Sequence, residues 1–173
     1  METKGKFVLK GVYEFELIRD GKTIDKWTDE NLIPDEGLNH ILNVVGINAT
    51  VRATNWYVGL IDTAHSVVAG DTASALAAIE YGASKYTDYL GSTTARPILN
   101  FATSTAKSLT NSASRAQFNI ITPTTILNAF VTNTVNRGDG TGVCISSLVL
   151  SPSRAVILAD QLLVGFTLTA ASV

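Results

Sequence analysis

The sequence has one cysteine, Cys144, so it can form no internal disulfide and no multi-cysteine metal cluster. Charge is scarce as well. Only 16% of the 173 residues are Asp, Glu, Lys or Arg, against about 25% in an average soluble domain. The net charge of −2 and a pI near 5.6 give no basic face of the kind nucleic acid requires. No apolar run approaches the ~18 residues of a membrane-spanning helix. Residues 1–30 alternate charged with apolar groups and contain no leader-like apolar segment, so no secretory signal is expected. Disorder is excluded too, because disordered chains combine low hydrophobicity with high net charge. This chain is 46% hydrophobic, with a mean hydropathy of +0.22. Its length suits a single domain with a real core.

The charges that exist are unevenly placed. Residues 1–36 hold 15 of the 28, six basic and nine acidic, and the remaining 137 residues hold 13. Hydroxyl residues take their place, with 21 Thr and 13 Ser. Two readings fit this surface. A neutral, hydroxyl-rich exterior is one that other protein can cover at low desolvation cost, since interface cores are depleted of charge. It is also what a compact β-domain with many Thr-bearing strands would show.

From Phe7 to Ile18, and most regularly from Val12, apolar residues alternate with polar ones, the period of a half-buried strand. Arg19-Asp20-Gly21-Lys22 is a hairpin turn signal, with a return strand over Thr23–Trp27 that could extend to Leu32-Ile33. The nine acids of this hairpin read as a solvated face. Pro34-Asp35-Glu36-Gly37 opens a helix in which Leu38, Ile41, Leu42 and Val45 fall on one stripe and Gly46 marks the end. The stripe is expected to be core, with Leu42→Ala costing about 2–5 kcal/mol. His40 is set beside it. Further strands are expected at 54–61, at 97–99 after a long loop, and at 116–120, 125–133, 143–150, 155–158 and 162–169, with a turn or edge at 109–114 and a turn at Ser151-Pro152-Ser153. A short helix is expected over 73–79, capped by Asp71 or Thr72. Short strands at this spacing predict an all-β fold, a β-sandwich or barrel of the jelly-roll kind, with an N-terminal hairpin and one or two short helices. The chain reads as one domain, 1–173, made of a charged hairpin or arm (1–33) and a β-rich body (34–173).

No catalytic, cofactor-binding or metal-ligating residue is assigned. Gly138-Asp139-Gly140-Thr141-Gly142 leads into the strand of Val143-Cys144-Ile145 and lacks GK[ST], so it reads as a hairpin loop rather than a phosphate cradle. Asp139 stands alone where a calcium loop needs alternating acids. Cys144, inside a strand, reads as an inert buried thiol. His40 and His65 are the only histidines, and no G-x-S-x-G elbow is present. Asp29-Glu30 and Asp35-Glu36 are adjacent pairs, and neighbours on a strand point to opposite faces.

The segments NLIPDEGLNHIL (31–42), WYVGL (56–60), AGDT (69–72), ARP (95–97), LTNSAS (109–114), NAF (128–130) and LADQLLVGFTLTA (158–170), in this order, resemble a family of small virion structural proteins of tailed bacteriophages. The chain departs from that pattern at Ala75–Glu80, where the resemblance suggests an aromatic-rich Gly-Trp segment, and at Ala159-Asp160, where it suggests Gly-Asp. The resemblance implies a non-enzymatic virion protein, first of all a capsid decoration or cement protein. Such a protein would bind the head surface as a homo-oligomer, with the major capsid protein or other virion proteins as partners. It implies assembly in the host bacterial cytoplasm and no cofactor, nucleic acid, membrane or small-molecule substrate. The charged hairpin would stay wet or reach a neighbouring subunit as an arm. The alternatives are a neck, tail or fibre-attachment protein, and a carbohydrate-binding β-sandwich using Trp56, Tyr57, Tyr81 and Tyr86 as stacking surfaces.

Overall fold

A computed structural model describes residues 7–47, 50–82, 84–104 and 106–172. It is an all-β, sandwich-like fold of two antiparallel sheets with two short helices. The N-terminal alternation forms β1 (Phe7–Arg19), and the return strand is β2 (Lys22–Glu30). Asp20 and Gly21 both take positive φ, 49° and 71°, which is the backbone a two-residue hairpin turn needs and the reason Asp-Gly serves there. The remaining strands are β3 (Tyr57–Ile61), β4 (Tyr86–Thr87), β5 (Ser108–Thr110), β6 (Ala116–Ile120), β7 (Thr124–Thr132), β8 (Cys144–Val156) and β9 (Gln161–Ser172). One sheet runs β2-β1-β9-β6-β4, with β5 also paired to β9, and the other runs β3-β7-β8.

The charged hairpin is part of the larger sheet. β1 lies between β2 and β9, paired with β9 from Phe7↔Ser172 to Ile18↔Gln161. Its inward residues Tyr13, Phe15 and Leu17 are buried with Val58 and Leu60 of β3, Ile126 and Val131 of β7, and Leu162, Val164 and Phe166 of β9. Tyr13 stacks on Phe15 and meets the edge of Phe166, and Phe15 stacks on Trp27. Leu32 continues β2 to the other sheet, exchanging backbone hydrogen bonds with Ser147 of β8 at 2.9 and 3.0 Å.

Helix α2 (Ala73–Ala77) covers the outer face of the smaller sheet, where Ala73 and Leu76 pack with Ile61, Phe130 and Cys144. Its cap is Thr72, whose Oγ1 accepts from Ala75 N at 3.2 Å. The strand expected at 97–99 is a single bridge, Ile98 to Tyr57, flanked by Val58 N to Pro97 O and Leu99 N to Trp56 O. The turn expected at Ser151-Pro152-Ser153 lies inside β8. That strand passes through Pro152 with a bulge, between Val149↔Asn128 and Arg154↔Ile126, in which the proline needs no ladder partner.

Helix α1 (Asp35–Leu42) forms where expected, and its path continues as a π turn over Asn43–Ile47. Its burial differs from expectation. The buried residues are Gly37 and His40, whereas Leu38 is 39% exposed, Leu42 67% and Val45 81%. The cause is Gly37. A Cβ there would stand 2.8 Å from Cys144 O and from Ile145 Cα, so only glycine lets the helix approach the β8 backbone this closely. His40, one turn on, meets the edge of Trp56 with ring centroids 5.9 Å apart. The packed face is therefore rotated by one residue from the apolar stripe. That rotation turns Leu38, Leu42 and Val45 outward.

Candidate interaction surface

The displaced stripe forms one wall of a groove of about 440 Å³. The other wall and floor come from Phe7, Leu9 and Lys10 of β1 and from Asn31, Leu32 and Ile33, with Leu38, Ile41 and Leu42 opposite. Lys10 is the one charged residue in this lining, and it is ion-paired to Glu30 at the rim. Beyond the groove the apolar surface continues along the π turn to Ile47, 72% exposed, and Phe7 at the strand end is 68% exposed. Contiguous apolar patches above a few hundred Å² are uncommon on monomers and mark interaction sites.

α1 is held rigidly under this surface. Glu36 turns inward, and its Oε2 accepts from Ala73 N at 2.8 Å and Cys144 N at 2.6 Å, joining α1 to the start of α2 and of β8. Beneath the floor, Ser146 Oγ accepts from Tyr13 OH at 2.9 Å and from Asn31 Nδ2 at 2.7 Å. The apolar face thus sits on a fixed framework.

The structure also places the residues weighed for chemistry. Cys144 is fully buried, and desolvation pushes its thiol up to about 12. Asp139 is occupied within its own loop, accepting from the hydroxyl and backbone N–H of Thr141 at 2.7 and 2.9 Å, and these bonds hold its carboxyl below the usual range. Among the described residues no group of three or more His, Cys, Asp or Glu could hold a metal ion. Also among them, no helix is long and apolar enough to cross a membrane.

Sequence reasoning missed one meeting of serine, acid and histidine. The buried carboxylate of Asp71 accepts from Ser147 Oγ at 3.1 Å and from Val68 N at 3.3 Å, and contacts His65 Nε2 at 3.0 Å. The acid stands between the other two, whereas activating a serine requires the histidine against the hydroxyl. Here the Ser147 proton is directed to Asp71, and Ser147 is itself buried. The cluster ties the 62–72 loop to β8. Its members lie 6 and 76 residues from Asp71 in sequence, so no local signal marks it.

Of the four aromatics considered for sugar stacking, Tyr81 and Tyr86 are fully buried. The Tyr86 ring is stacked under the Arg137 guanidinium at 3.2 Å, and Tyr81 lies 5.5 Å from Tyr86 between centroids. Trp56 and Tyr57 are half-buried. The four do not form an open platform.

Burial also alters the charge account. Of the 13 charges after residue 36, Asp71, Asp88, Arg96 and Asp160 are buried, as is the Glu80 side chain. Eight remain to reach solvent over 137 residues. No family model matches the chain, and no curated protein matches it in sequence.

Proposed function

We propose that the chain is a non-enzymatic structural protein of a tailed-phage virion, a capsid decoration or cement protein that binds the head surface and stabilises adjacent capsid subunits. The observation that carries this reading is the exposed apolar face of α1 and the β1 end on a body with so few solvent charges. Such a surface favours being covered by protein, because apolar area is removed from water and little charge must be desolvated. The Glu36 contacts to Ala73 and Cys144 hold α1 in place, which lowers the entropy lost on docking. The sequence pattern of residues 31–42 and 158–170 supplies the class of partner, other virion proteins.

Imaging of purified particles tests the reading. The expected result is density for the chain repeated over the shell lattice. Density confined to the neck or tail contradicts a decoration role and assigns the chain to that station instead.

A further inference from the structure

β1 is covered on both sides only along part of its length. β2 pairs with it from Val12↔Glu30 to the turn. From Phe7 to Lys10 it pairs with β9 on one side, and among the described residues no strand pairs with it on the other. The last backbone contact on that side is Asn31 N to Gly11 O at 3.2 Å. The groove lies against this same stretch, since Phe7, Leu9 and Lys10 line it. An open strand edge presents unpaired N–H and C=O groups, which are satisfied by an added strand. An added strand also projects alternate side chains to one face, which here is the face opposite Leu38, Ile41 and Leu42.

Three features select the occupant. The exposed parts of Phe7, Leu32, Leu38, Leu42, Val45 and Ile47 continue the half-buried groove lining into one apolar face, and a stable dimer needs about 800 Å² of such surface from each copy. An antiparallel edge is self-complementary about a two-fold axis, the isologous geometry of most homodimers. The face carries one charged lining residue, already paired to Glu30, so two identical faces meet without net repulsion. We infer that the groove and the open edge form the contact face for a second copy of this chain. The Phe7–Lys10 segments add antiparallel to each other, and the two α1 helices close over them.

The test uses the purified full chain, so it is decided independently of the virion reading; a dimer would cover this face inside the decorating unit and leave the rest of the charge-poor body to meet the shell. Sedimentation equilibrium at about 100 μM, where any interface with a micromolar Kd is populated, is expected to show a dimer. Leu42→Glu, at a position that is solvent-exposed in the single chain, should keep the same far-UV spectrum and weaken the dimer at least about tenfold. Leu158→Glu changes an exposed leucine at the opposite end of the larger sheet and should leave the dimer intact. The backbone amides of Phe7–Lys10 that point away from β9 should exchange more slowly at high than at low protein concentration. A chain that stays monomeric, a dimer indifferent to Leu42→Glu, or a dimer in which those amides remain unprotected overturns the inference.

Discussion

Arg96 and Glu80 hold each other in a two-point ion pair, Nε to Oε1 at 2.9 Å and Nη2 to Oε2 at 2.8 Å, with both side chains withdrawn from water. The pair anchors the Gly-rich loop. Arg96 Nη1 donates to the Thr134 carbonyl and hydroxyl at 2.9 and 2.8 Å, Nη2 donates to the Asp139 carbonyl, and Glu80 Oε2 accepts from Gly138 N. Removing one partner of such a pair leaves the other charge buried and uncompensated. Glu80→Ala is therefore expected to cost about 3–5 kcal/mol by chemical denaturation. A loss below about 1 kcal/mol, the size of an exposed pair, contradicts this account of the loop.

Leucines of the same type should behave oppositely on α1 and in the core. In protein dilute enough to stay monomeric, Leu42→Ala is expected within about 0.5 kcal/mol of the parent, as for other surface changes. Leu162→Ala, which empties a fully buried site on β9, should cost about 2–5 kcal/mol. Comparable losses at both positions would mean that α1 packs through its apolar stripe after all.

Ala159 occupies the turn between β8 and β9 with φ at 71°. A Cβ in this left-handed region costs about 1–2 kcal/mol, and glycine gives back part of that through its unfolded-state entropy. Ala159→Gly should therefore stabilise the protein by up to about 1 kcal/mol and raise Tm by about 2–4 °C. A lowered Tm contradicts the reading. It is the position where the resembled family pattern carries glycine.

Glu16 gives the stability a defined acid limb. The Thr23 hydroxyl donates to its carboxylate, and Arg115 and Lys26 lie beside it, which together hold the group at about 2 rather than its ordinary 4.5. Its folded value is the lower one, so its contribution is complete above 4.5 and is lost as pH falls through about 2. Denaturation midpoints measured across that window should fall less steeply for Glu16→Gln than for the parent. Parallel curves would show that Glu16 is not a linked group.

Cys144 should resist alkylation at neutral pH while the chain is folded, because burial both blocks access and suppresses the thiolate. Intact mass after iodoacetamide treatment checks this, with modification expected only in denaturant. Rapid labelling of the native chain contradicts the placement.

Much of the fold is legible in the sequence because its signals are local. The β1 alternation, the Asp20-Gly21 turn, the Thr72 cap and the strands at 116–120 and 124–132 each depend on a few neighbouring residues. The α1 surface is not legible in this way. Periodicity shows that one helix face is apolar, but which face packs is decided by Gly37 against the backbone of a strand more than 100 residues away. Pro152 misleads for a related reason: it reads as a turn, yet β8 is a sheet edge with room for a bulge. Arg96–Glu80 and Asp71–Ser147 join loops and strands that only the finished topology brings together.

The proposed role in covering a phage head is tested most directly by the copy number of the chain in intact purified virions relative to the major shell protein. Quantitative staining or mass spectrometry gives the ratio. A decoration protein predicts a fixed ratio near one copy or a simple fraction per shell subunit. A handful of copies per particle, or none, contradicts it.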